Sequence, residues 1–230
     1  MNNEQPVTLH MAPSIKSRRL IIVLGLVAMI SGMLIVMAYQ ATLPIITEQK
    51  RLATQAAVLK VIPGAAQVDG YVVEGAVLVP ATASNENGLH LYAGYDTEGT
   101  LKGIALEGAG QGYADTVKIL YGYSPVCECI TGFTVVSSRE TPGFGDKLTK
   151  DAAFLANFTA LDAKLNEAKS GLVNAIVTVK HGTKSKPWQV DAISGATVSS
   201  RAVGRALNDS TSRALPVLAK QLDQLQHRSQ

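Results

Sequence analysis

The distribution of apolar residues along the chain begins with a long run near the N-terminus. From Leu20 to Ala38 there is neither a charged residue nor a proline. As a helix this run is about 28 Å long, which matches the hydrocarbon core of a bilayer. A buried core helix would not be apolar on every face. The pattern therefore predicts a single transmembrane helix, which we place at residues 20–43.

The charges around this run indicate its orientation. Lys16, Arg18 and Arg19 precede the run, whereas the first charged residues after it are of both signs. Because positive residues favour the cytoplasmic side, we expect residues 1–19 in the cytoplasm and the chain beyond the transmembrane helix in the periplasm. A cleavable signal peptide is the alternative interpretation, although its apolar region is usually about 7–15 residues long.

The next segment, residues 44–64, has helical periodicity. Leu52, Ala56 and Leu59 recur on one predicted face, and the dipeptide Pro63-Gly64 ends the pattern. We therefore expect a juxtamembrane helix or linker here.

Short strands are predicted between Tyr71 and Val136. Apolar runs alternate there with clusters of Gly, Asn, Asp and Pro, which is typical of strands in meander order. The runs are YVVEGAVLVP, GLHLYAGYD, LKGIALEG, VKILYGY and CECITGFTVVSS.

Helical periodicity returns over residues 150–171, and a predicted strand, LVNAIVTVKHG, follows. The predicted helix places four apolar residues on one side: Phe154, Phe158, Leu161 and Leu165. The segment after Ser199 predicts one or two helices with an interruption at Pro216.

Together these elements predict an α+β protein. A single N-terminal transmembrane helix precedes one domain, over residues 65–215, whose largely antiparallel sheet is flanked by helices. Residues 216–230 form a C-terminal helix or tail.

Composition excludes several classes of function. The formal charge is only +3, from 21 Lys and Arg against 18 Asp and Glu, which gives no support to nucleic-acid binding. The two cysteines, Cys127 and Cys129, are too few for an iron–sulfur ligand set. Core packing, a redox-active disulfide and an intersubunit contact remain open for them. His90 and His181 lie far apart, so we expect no metal site.

The segment with the clearest chemistry is DAISGATVSS, residues 191–200, between a predicted strand and a predicted helix. A glycine turn followed by hydroxyl residues at a helix start offers unpaired N–H groups and a positive dipole end, which suits a phosphate. An ordinary helix N-cap has the same pattern. The spacing alone leaves both interpretations open.

Two motifs resemble a known family. The run Asp191-x-x-Ser194-Gly195-Ala196-Thr197-x-Ser199-Ser200 resembles the flavinylation motif of the FMN-binding domain family, in which the last threonine of the core receives FMN through its phosphate. About fifty residues upstream, Glu140-Thr141-Pro142-Gly143-Phe144-Gly145-Asp146-Lys147 resembles the second signature of that family. Phe144 replaces a residue that is commonly aliphatic, and Val198 replaces one that is often threonine.

The resemblance implies a role for each matching residue. Thr197 would carry FMN as a covalent phosphoester, and Asp191 would be recognised by the flavin transferase that moves FMN from FAD with a magnesium ion. The remaining residues would surround the phosphate or the flavin ring, with Lys147 favouring reduced, anionic flavin: Ser194, Gly195, Ala196, Val198, Ser199, Ser200, Glu140, Thr141, Gly143, Phe144, Gly145 and Lys147. The alternative is that Glu140 and Lys147 form a solvent-exposed pair on the surface.

A glycine-rich stretch, residues 108–113, superficially suggests a phosphate loop. It precedes a β-like run instead of a helix, so we interpret it as a tight bend, with a position beside the flavin as one option.

With its anchor, the whole chain resembles the G subunits of Rnf-type ion-translocating electron-transport complexes. This implies an electron-transfer subunit in the bacterial inner membrane, with the bilayer, the other subunits and the flavin transferase as partners. No catalytic residue and no complete activity are expected from this chain alone. The alternatives are the C subunit of a sodium-translocating NADH:quinone reductase, a stand-alone periplasmic flavin reductase and a cofactor-free anchored domain. A serine hydrolase is set aside because G-x-S-x-G does not surround Ser194 or Ser199.

Overall fold

The structure is a computed structural model that describes residues 17–74, 77–81, 89–140, 145 and 147–226. The chain divides into two units, Met1–Arg51 and Leu52–Gln230. The helices are α1 (Ser17–Val61), α2 (Lys147–Lys150), α3 (Ala152–Ala156) and α4 (Thr197–Leu225). The strands are β1 (Gln67–Glu74), β2 (Val77–Pro80), β3 (Leu89–Tyr95), β4 (Leu101–Gln111), β5 (Thr116–Ser124), β6 (Cys129–Ser137), β7 (Leu161–Asp162), β8 (Val177–Val179) and β9 (Gln189–Asp191).

Helix α1 contains the apolar run. By length and composition it can cross a membrane: its most apolar window has a mean hydropathy of 2.9, and none of that window is buried. The helix continues past Pro44 into the segment predicted as a juxtamembrane helix. One N-terminal apolar helix followed by a mainly antiparallel domain confirms the predicted α+β class.

In the described part of the chain, β1 to β7 form an antiparallel sheet in the order β2-β1-β3-β4-β5-β6-β7. Apart from β2, the strands lie side by side in chain order, which confirms the predicted meander. Strands β8 and β9 form a separate parallel pair. The YVVEGAVLVP run is divided between β1 and β2.

Helix α4 packs on one face of the sheet, where most of the buried apolar side chains lie. Strand β4 meets it with glycines: a Cβ added at Gly110 would lie 2.2 Å from the carbonyl oxygen of Ala202, and one at Gly108 would lie 2.9 Å from that of Ala206. The missing side chains let the helix backbone approach the strand. The start of α4 is thereby fixed against the end of β4.

The opposite face of the sheet packs against the end of α1, in a smaller apolar cluster with Val58, Val61 and Ile62. A Cβ at Gly122 would lie 2.0 Å from the carbonyl oxygen of Val61, so this contact also requires glycine.

The apolar face predicted for residues 44–64 is not the face of the helix that is buried. Leu52 is 53% exposed and Leu59 is 40% exposed, whereas Val58 and Val61 are fully buried. The position of the strand glycines, and not the helical spacing of the larger apolar residues, determines which side of the helix is buried.

The predicted helix over residues 150–171 is also wrong beyond Ala156. Asn157 ends α3, since its side-chain amide donates to the Asp191 carbonyl and accepts a hydrogen bond from the Asp191 N–H. Leu161 then enters strand β7, which pairs with β6. Phe154, Phe158 and Leu161 are buried all the same, and Phe158 stacks on Phe133 with 4.5 Å between ring centroids. Leu165 is partly buried.

Pro216 does not interrupt the last helix. Helix α4 runs from Thr197 to Leu225 with Pro216 inside. Proline removes one backbone hydrogen bond, but Ala214, Leu215 and Leu218 around it are buried against the sheet. Tertiary packing outweighs that local cost.

The two cysteines form a disulfide, with 5.2 Å between their Cα atoms. Cys127 lies in the turn before β6 and not on a strand, so the strand predicted over CECITGFTVVSS begins only at Cys129. Glu128 between them has a φ of +51°, in the left-handed region.

Candidate functional site

A cavity of about 630 Å³ lies between the β4–β5 turn and the start of α4. Its described lining consists of seven residues: Tyr113, Glu140, Gly195, Ala196, Thr197, Val198 and Ser199. The cavity is large enough for a nucleotide-sized ligand. It brings the end of the glycine-rich stretch and parts of both sequence motifs together.

The loop before α4 is held by a buried hydroxyl. Ser200 Oγ accepts a hydrogen bond from the Ile193 N–H at 3.1 Å and donates one to the Ala196 carbonyl at 2.9 Å. Gly195 has a φ of +80°, which favours glycine at this position. These constraints place Thr197 as the first residue of the helix.

The start of α4 lacks an ordinary cap. Ala196 stands at the N-cap position, and no side chain there bonds the first turn. The Thr197 hydroxyl makes no hydrogen bond with the residues that the structure describes. The first N–H groups of a helix have no partner within it, and their dipole end is positive. This arrangement favours the phosphate interpretation of the motif over the cap interpretation.

Glu140 is the centre of the opposite wall. Its carboxylate accepts hydrogen bonds from the N–H groups of Tyr113, Ala114 and Asp115 at 3.3, 3.0 and 3.4 Å. It also accepts a short hydrogen bond from the Ser199 hydroxyl. One side chain therefore connects the β4–β5 turn to the first turn of α4.

Two opposing effects act on the pKa of Glu140. Partial burial raises it, whereas the hydrogen bonds from Ser199 and from the three backbone N–H groups lower it. The net effect is a pKa below the ordinary value, so the carboxylate is ionised at neutral pH.

Asp191 is not part of the described lining of the cavity. Its Oδ1 accepts a hydrogen bond from the Gly182 N–H at 2.8 Å, and its Oδ2 lies 3.6 Å from His181 Nδ1. Lys184 donates to the Asn157 side chain at 3.0 Å; burial lowers the pKa of Lys184, and the charge of Asp191 opposes that shift. Asp191 is thus part of a polar cluster just ahead of the Thr197 loop.

The other predicted site residues have varied positions. Ser194 is exposed outside the described lining, Ser200 is buried beneath the loop, and Gly145 packs against Glu140. Lys147 is exposed at the start of α2. Thr141, Gly143 and Phe144 lie outside the described residues.

Tyr113 lines the cavity although it belongs to neither sequence motif. It is 76% exposed at the cavity rim, in the bend expected at the end of the glycine-rich stretch. Its place at the end of the glycine-rich stretch is the sequence feature that could have indicated it.

Among the described residues no group of three or more His, Cys, Asp or Glu could hold a metal ion.

Comparison with known proteins agrees with this geometry. A family profile described as the FMN-binding domain matches residues 112–212, a segment that includes every described residue of the cavity lining. The matched segment contains both sequence motifs, which confirms that they resemble the FMN-binding domain family.

More specific relatives are the G subunits of ion-translocating complexes. The chain is 34% identical over 121 residues to the G subunit of the Na⁺-translocating ferredoxin:NAD⁺ oxidoreductase complex of Acetobacterium woodii, covering 52% of each protein. It is 36% identical over 118 residues to the G subunit of the ion-translocating oxidoreductase complex of Methanosarcina acetivorans, covering 51% of this chain and 54% of the relative. The chain therefore spans about half the length of these relatives. The corresponding G subunit of Aliivibrio fischeri is 26% identical over 81% of the chain and 84% of the relative.

Solved structures share the fold. Shewanella oneidensis NqrC superposes with a TM-score of 0.61 at 21% identity, over 77% of this chain and 98% of that one. The C subunit of the Na⁺-translocating NADH-quinone reductase of Parabacteroides distasonis gives 0.56 at 18% identity, over 80% and 97%. At these identities the likeness concerns the fold alone.

Proposed function

We propose that this chain is an electron-transfer subunit of a membrane-bound, ion-translocating oxidoreductase, with FMN joined by a phosphoester to the hydroxyl oxygen of Thr197. The observation that carries the proposal is the position of that hydroxyl. It lies in a cavity at the first turn of an uncapped helix and has no hydrogen-bond partner among the described residues.

The residues around Thr197 fit a phosphate. A phosphodiester keeps a negative charge, which the positive end of α4 and its unpaired N–H groups stabilise. Gly195 and Ala196 carry little or no side chain, which leaves room beside the cavity for a phosphate to approach the backbone at the start of α4.

The rim of the cavity fits a flavin ring. Tyr113 and Val198, which are 76% and 47% exposed, present an aromatic and an aliphatic surface on either side of the opening. Such surfaces suit the faces of a planar ring. When bound, FMN supplies both one-electron and two-electron redox chemistry. The protein contributes attachment, orientation and the charge of Glu140.

The anchor and the partners are part of the same proposal. Helix α1 spans the inner membrane with its N-terminus in the cytoplasm, and the domain from residue 65 onward lies in the periplasm. The other subunits of the complex are its electron-transfer partners. A separate flavin transferase attaches the FMN and recognises the segment that contains Asp191.

A C-type subunit of a sodium-translocating NADH:quinone reductase is the second candidate, because the fold neighbours are subunits of that kind. The sequence relatives are G subunits, which favours the Rnf-type complex. Purification with each set of partner subunits distinguishes the two candidates, since only one set should retain the chain.

Intact-mass measurement with peptide mapping tests the attachment. We expect an FMN-sized addition on the peptide that contains Thr197 when the full-length chain is produced together with a flavin transferase. Thr197→Ala should abolish the addition, because no acceptor oxygen remains. Thr159→Ala is the matched control and should keep it, since Thr159 is exposed outside the described lining and outside both motifs. An addition that persists in Thr197→Ala, or that never forms, contradicts the proposal.

A further inference from the structure

We propose that Glu140 is a positioning residue that forms one wall of the cavity before any flavin arrives. Its carboxylate acts as an internal anion that fills the backbone N–H nest of residues 113–115 and joins this turn to the first turn of α4. The consequence for the flavin rests on the proposed function above, whereas the role in forming the wall does not.

The first part of the argument is the nest. Three successive N–H groups, of Tyr113, Ala114 and Asp115, point at one carboxylate. Successive N–H groups that converge in a turn form an anion-binding concavity. With the carboxylate removed, these donors would lose their acceptor and the conformation of the turn would lose its support. Tyr113 would then no longer be held at the cavity rim.

The second part is the connection to the helix. Ser199, the third residue of α4, is 3% exposed, and its hydroxyl donates to the same carboxylate. Residues 113 and 199 are far apart in sequence, but they line the same cavity. Glu140 thus bonds to the backbone of one wall and to a side chain of the other.

The third part is the space made for this side chain. A Cβ at Gly112 would lie 2.4 Å from Glu140 Oε1, and one at Gly145 would lie 2.0 Å from Glu140 Cβ. Glycine at both positions leaves the room that the glutamate side chain occupies. Such enclosure is unusual for a charged residue that merely faces solvent.

A carboxylate suits this position better than an amide. An ionised carboxylate only accepts hydrogen bonds and has about four lone-pair directions, which matches the four donors here. The amide of glutamine has one oxygen acceptor and an NH₂ group that would face other donors. Glu140→Gln keeps the shape of the side chain but loses part of the bonding.

Hydrogen exchange followed by mass spectrometry tests the role without any flavin. The full-length chain, produced without flavin transferase, is measured in detergent through peptides that cover residues 112–116. We expect exchange at the 113–115 amides to be on the order of tenfold faster in Glu140→Gln, from the loss of charge-assisted hydrogen bonds. Glu107→Gln is the matched control: Glu107 accepts a hydrogen bond from the Tyr92 hydroxyl, outside the described lining, and this change should leave those amides unaltered.

Chemical rescue sharpens the test. In Glu140→Gly the nest is empty, so added formate should restore protection at residues 113–115, whereas chloride at equal ionic strength should not. If the variants at 140 fail to fold, Ser199→Ala offers a milder change. It should speed exchange at the same amides by a smaller factor, because the carboxylate loses one of its anchoring bonds. Unchanged exchange at these amides in Glu140→Gln, or in Ser199→Ala where the former does not fold, overturns the proposal.

The flavin-loaded protein gives a second readout. A fixed negative charge on the cavity wall disfavours reduced, anionic flavin, so Glu140→Gln should raise the midpoint potential of the bound flavin. A potential that is unchanged, or lower, would contradict the placement of this charge beside the ring. The two proposals can fail separately: an absent addition on Thr197 refutes the attachment, whereas the exchange measurement on unloaded protein decides the role of Glu140.

Discussion

Two helix ends lie against opposite faces of the same sheet, and both approach it over glycines. The C-terminal end of α1 contacts Gly122, and the first turns of α4 contact Gly110. The packing principle is the same at both ends, because a missing Cβ lets a helix backbone lie directly on a strand.

The two ends differ in the backbone groups that they present. At the end of α1 the Val61 carbonyl accepts a hydrogen bond from the Thr131 hydroxyl at 3.2 Å, so an acceptor is satisfied there. At the start of α4 no side-chain cap is present, and the unpaired groups are donors beside a cavity. A helix start attracts an anion, whereas a helix end repels it. Close packing builds the fold at both places, but only the polarity of α4 makes a phosphate site.

The strongest test of this comparison is to place a Cβ at each contact. Gly110→Ala and Gly122→Ala each drive a methyl group to about 2 Å from a backbone carbonyl oxygen, so either helix must move. We expect each change to lower the free energy of unfolding by about 3 kcal/mol. Only Gly110→Ala should also reduce the FMN carried per chain, because it displaces the start of α4.

Chemical denaturation and the flavin absorbance of the same samples measure both effects. Gly171→Ala serves as the control, because a Cβ there meets nothing within 4 Å. Full flavin content in Gly110→Ala, or an equal loss in Gly122→Ala, would break the distinction between the two ends.

A smaller effect is expected from the hydroxyl that supports each end. Ser200→Ala removes two hydrogen bonds from a fully buried site and leaves the Ile193 N–H without an acceptor, so about 2 kcal/mol of stability should be lost. Thr131→Val removes one partly buried hydrogen bond, so about 1 kcal/mol of stability should be lost. Flavin attachment should fall only in Ser200→Ala, measured again by intact mass. Normal attachment in a destabilised Ser200→Ala would show that the loop geometry before Thr197 is not needed.

Local patterns were enough to predict the strands and the position of Thr197. The meander follows from runs that alternate with turn residues, and the start of α4 follows from a glycine turn before a helical pattern. Both features are set by residues within about ten positions of each other. The same local patterns failed for residues 150–171, where pairing with β6 and the bonds of Asn157 to Asp191 determine the structure.

No local pattern predicted the contacts within the wall opposite Thr197. Glu140 reaches Tyr113 across 27 residues and Ser199 across 59, and only the fold brings these positions together. The same holds for the strand glycines, because the sequence does not show which helix packs over Gly110 or Gly122. The motifs therefore predicted residues of both walls, whereas the contacts of Glu140 with Tyr113 and Ser199 required the tertiary structure.

The smallest expected effect concerns pH, and it distinguishes the two helix ends by charge. Hydrogen bonds hold the pKa of Glu140 below its ordinary value in the folded chain. Because this folded pKa is depressed, the carboxylate contributes stability above the ordinary glutamate pKa, and that contribution is lost as the pH falls through the folded value. The urea midpoint of the full-length chain in detergent should therefore decline more steeply with acid in the wild type than in Glu140→Gln.

Thr131→Val is the matched control, since the Thr131–Val61 bond contains no group that titrates, and it should keep the wild-type acid dependence. An identical acid dependence in wild type and Glu140→Gln would mean that the charge of Glu140 plays no part in holding the start of α4.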